Sequence, residues 1–68
     1  MAFLRLTEAE SGAERLINTT YVIYAERDTD TPGAVVWWIS YRDPGQPQSR
    51  YLVSREPADE VFAQLEKA

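Results

Sequence analysis

At 68 residues the chain holds one domain, 1–68, close to the smallest size that is stable without metals or disulfides. It has no cysteine and no histidine, which excludes disulfides, thiolate metal sites and every Ser-His or Cys-His nucleophile arrangement. Eleven acids against seven bases give a net charge of -4, a poor match for nucleic-acid phosphates or anionic membranes.

Hydrophobic residues make up 44% of the chain, enough to drive folding and too many for a disordered segment. No apolar run approaches the roughly 20 residues of a membrane span. No basic region followed by a long apolar core opens the sequence, so a cytoplasmic location is expected.

In chain order, Ala2-Phe-Leu-Arg-Leu6 alternates as a short strand, with Phe3 and Arg5 on one face and Leu4 and Leu6 on the other. Residues 7–14 are polar and carry a Ser11-Gly12 turn signal, while the Ala and Glu content of Glu8 to Leu16 also fits a helical turn. Arg15 to Arg27 is the second long element, bent at Asn18-Thr-Thr20 and continuing as the strand Tyr21-Val-Ile-Tyr-Ala25. Asp28 to Gly33 is a polar turn, Val35 to Arg42 a third strand, Asp43 to Gln48 a Pro-Gly turn, and Arg50 to Ser54 a fourth strand. Tyr21 to Val53 thus reads as a three-stranded antiparallel meander.

From Pro57 the apolar period lengthens from two to nearly four. Pro57 suits the first helical position, with Ser54 and Glu56 as alternative caps. Asp59 and Glu60 near the start and Lys67 near the end match the helix dipole. Ala58, Val61, Phe62 and Leu65 form the apolar stripe, and Glu60, Gln64 and Lys67 face away. The fold class is α+β: a small antiparallel meander of three to four strands with a C-terminal helix packed on one face.

The run Ala34-Val-Val-Trp-Trp-Ile-Ser-Tyr41 carries two adjacent tryptophans, and strand alternation sends them to opposite faces. One face holds Val35, Trp37 and Ile39, the more continuous apolar set. These three are expected to meet Val61, Phe62 and Leu65 of the helix as the core. The other face, Val36 and Trp38 with Val22 and Tyr24, is then the candidate interface. A single helix covers one face of such a sheet, so the second face calls for a partner, most simply another copy of the chain.

Several segments carry a family likeness. Phe3-Leu-Arg-Leu6, Leu16-Ile-Asn18, Val22-Ile-Tyr-Ala-Glu26, Tyr51-Leu-Val-Ser-Arg-Glu56 and Asp59-Glu-Val-Phe62 follow one another as in the FlbD-like small proteins associated with bacterial flagella and swarming, which the chain resembles. The resemblance implies a β-rich fold with a C-terminal helix and an accessory role in that setting. It brings no catalytic residues. The chain departs from the pattern at Pro57, where a serine is usual, in the long turn from Asp43 to Ser49, and in the tryptophan pair.

Tyr21, Tyr24, Tyr41 and Tyr51, with Arg27, Arg42, Arg50 and Arg55, provide the residue types of a single-stranded nucleic-acid platform. Glu26, Asp28, Asp30 and Asp43 lie beside those arginines and repel phosphate, so nucleic acid is the alternative partner rather than the leading one. Asp28, Asp30 and Asp43 sit at turns without a cation-loop spacing, and Gly12, Gly33 and Gly45 are isolated rather than clustered as a phosphate loop. No cofactor, metal or membrane is expected. The expected function is a non-enzymatic, homo-oligomeric interaction module, a regulatory or accessory protein of bacterial type.

Overall fold

The structure, a computed structural model, describes residues 2–41 and 45–67. Strands β1 (Phe3–Thr7) and β2 (Glu14–Asn18) form an antiparallel hairpin, and a 3-10 turn over Thr19–Tyr21 leads onward. β3 (Val22–Arg27), β4 (Ala34–Ser40) and β5 (Gln48–Val53) form the antiparallel meander read from the sequence, followed by helix α1 (Ala58–Lys67). The chain is a small α+β domain of two antiparallel sheets and one C-terminal helix.

Local chemistry sets the corners. Gly12 takes φ 73°, which lets the 8–13 segment reverse tightly, and Glu8 to Leu16 is turn and strand rather than helix. At the bend Asn18 accepts a hydrogen bond from the Thr20 N–H at 3.0 Å, so Tyr21 closes a 3-10 turn instead of opening a strand. Pro57 stands just before α1, and its carbonyl accepts the Glu60 and Val61 N–H groups at 3.0 and 3.2 Å. Neither Ser54 nor Glu56 caps the helix. The Ser54 hydroxyl accepts from the Ala34 N–H and donates to the Glu56 carbonyl, and the Glu56 carboxylate accepts from the Thr7 N–H and Thr7 Oγ1.

The two sheets are joined where the end of β1 runs into the end of β5. Glu8 bridges Ser54, the Ala9 N–H donates to the Val53 carbonyl at 2.8 Å, and the Arg55 N–H donates to the Thr7 carbonyl at 2.8 Å. Leu4, Leu6, Ile17, Ala34, Val36, Leu52, Ala58 and Val61 fill the space enclosed by the hairpin, the meander and the helix. Leu4 and Leu6 face inward and Phe3 and Arg5 outward, as the alternation of β1 predicts.

On β4 the facing is the reverse of the expectation. Val36 is fully buried and Trp38 packs against the core with Val22, whereas Val35, Trp37 and Ile39 lie on the opposite face. Register decides this. Val36 lies opposite Ala25 and Leu52, which bury readily, while Val35 lies opposite Glu26, whose carboxylate stays in water. A bulge at Ile23, between Val22 and Tyr24, then puts Tyr24 beside Trp37 rather than Trp38.

The helix stripe behaves as its spacing predicts: Ala58 and Val61 are buried, and Phe62 and Leu65 pack against the core. Gln64 does not face away. Its amide accepts from the Arg5 N–H at 3.4 Å and donates to the Arg5 carbonyl at 3.5 Å, which occupies the edge of β1 that β2 does not use.

Candidate functional site

The face of the meander turned away from the core carries Tyr24 from β3, Val35, Trp37 and Ile39 from β4, and Tyr51 and Val53 from β5. None of these side chains belongs to the core, and those of β4 and Val53 are half-buried while the two tyrosines are exposed. Hydrogen bonding across β4 and β5 fixes how closely its side chains approach. The Ser54 N–H donates to the Ala34 carbonyl, so alternation makes Leu52–Val36 a hydrogen-bonded pair and Tyr51–Trp37 a non-bonded one. Side chains of non-bonded pairs stand closer. The Trp37 and Tyr51 ring centroids are accordingly 4.6 Å apart, and the Tyr24 ring lies 6.1 Å from Trp37 at an interplanar angle of 22°.

The result is a three-ring ladder running across three neighbouring strands. Tyr24 and Tyr51 remain 49% and 59% exposed at its two ends, so the ladder is a surface feature rather than a second core. Tyr21 meets Tyr41 edge-on at 5.3 Å, and both rings are exposed. Ile23, the bulged residue of β3, is 49% exposed as well. Glu26 is the charged residue of β3 on this face.

Of the four residues expected at an interface, Tyr24 alone lies here. Val36 is core, and Val22 and Trp38 are packed against it. Of the six expected core residues, Val61 belongs to the core and Phe62 and Leu65 pack against it, while Val35, Trp37 and Ile39 belong to the open face. Tyr51 and Val53 complete that face. Their spacing of two in the sequence carries a signal for them, which becomes usable once β5 is in register with β4.

Several other polar groups are held locally. Arg27 pairs with Asp59 and lies 5.2 Å over the Phe62 ring, tying β3 to α1. Arg15 pairs with Glu8 at 3.3 Å and Arg5 with Glu14 at 3.6 Å, both exposed. Asp28 accepts the Thr31 hydroxyl at 2.8 Å inside its turn, and Asp43 lies outside the described residues, as does Arg42. Among the described residues no three acidic side chains converge as a metal site, and no helix is long and apolar enough to cross a membrane. Burial pushes the Glu56 carboxyl up, but hydrogen bonds from the Thr7 N–H, the Glu56 N–H and the Thr7 hydroxyl, with the nearby Arg55 charge, outweigh it and hold it below its ordinary value.

No protein-family profile, curated protein or solved structure matches the chain. Its own geometry therefore carries the functional reading. The open face offers aromatic edges, aliphatic side chains and one carboxylate, the chemistry of a surface that excludes water against another surface.

Proposed function

We propose that this protein is a non-enzymatic interaction module that self-associates through the open face of its meander. The Tyr24–Trp37–Tyr51 ladder, half-buried at Trp37 and exposed at both tyrosines, is the observation that carries this reading. An aromatic side chain offers about 150–250 Å² in all, so the two exposed tyrosines with the half-buried Trp37, Val35, Ile39 and Val53 present on the order of 500 Å². That is at the upper end of what a monomer leaves exposed and somewhat below the ~800 Å² per partner of a standard interface. A second copy supplies the same apolar face, and a twofold axis across it closes the assembly as a dimer. The bulge at Ile23 blunts the edge of β3, which favours association by face over association by that edge.

The ring arrangement weighs against single-stranded nucleic acid as the partner. A base stacks on an open ring face, and Trp37 is flanked by a tyrosine on each neighbouring strand. The likeness to FlbD-like proteins supports a bacterial regulatory or accessory role in the cytoplasm for such a module.

Sedimentation equilibrium of wild type and Trp37→Ser over a wide concentration range tests the proposal. The expected result is a wild-type dimer dissociating in the micromolar range or weaker and a variant shifted at least tenfold towards monomer. A monomeric wild type at every concentration overturns it. A labelled oligonucleotide titrated at low salt separates the alternative, since tight binding there sinks the self-association reading as the main function.

A further inference from the structure

We propose that the open edge of β5 takes up an extended partner peptide as an added strand, with a carboxylate side chain of that peptide opposite Arg50. β5 pairs with β4 along one edge and meets the end of β1 at Val53 to Arg55 on the other. Beyond that meeting the second edge is open. Because the Val53 carbonyl points away from β4 to accept the Ala9 N–H, alternation turns the N–H and C=O groups of Tyr51 and Ser49 the same way. No strand lies against them among the described residues. Two donors and two acceptors at strand spacing form the template that strand addition uses.

Space and charge select the occupant. Two cavities flank this edge, one of about 290 Å³ lined by Glu8, Glu10, Tyr51 and Val53, the other of about 270 Å³ lined by Glu8, Arg15, Trp38, Ser40, Arg50 and Tyr51. Arg50 makes no ion pair with any described residue. In the added ladder its position is a non-bonded one, where facing side chains are closest and a charge pair is most effective. Glu8 borders both cavities but is already held by Arg15 and by the Ser11 hydroxyl, and Glu10 lines only the cavity at the Val53 end, so the incoming carboxylate belongs beside Arg50. A second copy is a poor occupant. The twofold register pairing Ser49 with Tyr51 of the other copy sets two Arg50 side chains face to face.

The probes are three capped heptapeptides: Thr-Thr-Val-Glu-Val-Thr-Thr, its glutamate-to-lysine twin, and the first peptide N-methylated at both valines. Binding is read by NMR amide shifts and amide exchange on the full chain. The expected result is weak binding of the glutamate peptide with protection at Ser49 and Tyr51, about fivefold or greater preference over the lysine twin, and loss on N-methylation. Arg50→Glu, at an exposed position, reverses the preference. Absence of binding, equal affinity for the charge twins, binding that survives N-methylation, or protection at Glu14 and Leu16 on β2 overturns the proposal.

Discussion

A Cβ built on Gly33 stands 2.0 Å from the Ser54 carbonyl oxygen, inside the contact where the β3–β4 turn meets the end of β5. The atom in the way is backbone and belongs to the Ser54–Ala34 pair, so relief would break the pairing of β4 with β5. Gly33→Ala is therefore expected to lower stability by about 2 kcal/mol or more, read as a shift of the urea midpoint. Glu56 acts at the same scale, clasping Thr7 through two hydrogen bonds of 2.9 Å. Its folded-state pKa lies below the unfolded value, so its contribution is complete above the ordinary carboxylate range and is lost as pH falls through that range and below. Glu56→Gln is expected to be less stable than wild type at pH 7, with the gap narrowing by pH 3, where the wild-type carboxyl is protonated too. Thermal melts at the two pH values check this, and a constant gap would show that the carboxylate charge is not what Thr7 recognises.

Among the elements, the bend between β2 and β3 shows how a side chain sets a corner. Asn18 was readable as a break in an otherwise apolar stretch, and the structure adds its hydrogen bond to the Thr20 N–H. Asn18→Ala is expected to cost about 1 kcal/mol, and Asn18→Asp, which keeps an acceptor, much less. Chemical denaturation of the two variants side by side tests the assignment. The helix was equally legible, since Val61, Phe62 and Leu65 repeat at a helical period whatever they pack against. Gln64 was not. A polar residue on a short helix reads as solvent-facing until a strand edge lies within reach of its amide.

For the whole molecule, the two faces of β4 divide folding from association. Val36 is enclosed by the hairpin, β5 and the helix, whereas Trp37 lies one residue away on the open side. Val36→Ala is expected to lower folding stability by about 2 kcal/mol while leaving any dimer contact unchanged. Trp37→Ser is expected to do the opposite, weakening association with a small effect on the unfolding midpoint of the monomer. Equilibrium unfolding paired with sedimentation separates the two, and a large loss of monomer stability in Trp37→Ser would assign that residue to folding instead. Strand addition at β5 uses an edge rather than the buried face, so its partner preference is expected to survive Val36→Ala.

By itself the sequence left 8–16 open between a turn and a helical turn, but it determined the meander, the turn ending at Gly33, the bend at Asn18 and the amphipathic helix. Each is a local consequence of alternation, turn chemistry or helical period. It also determined that Trp37 and Trp38 part company, because neighbours in a strand point to opposite sides. Which tryptophan turns inward was decided by the tertiary structure. An apolar run on both faces of β4 carries no parity of its own, and the choice passes to residues far along the chain. Glu26 opposite Val35 and Leu52 opposite Val36 set the inner face, the bulge at Ile23 aligns Tyr24 with Trp37, and the Glu8–Ser54 bridge closes the hairpin over the Val36 side.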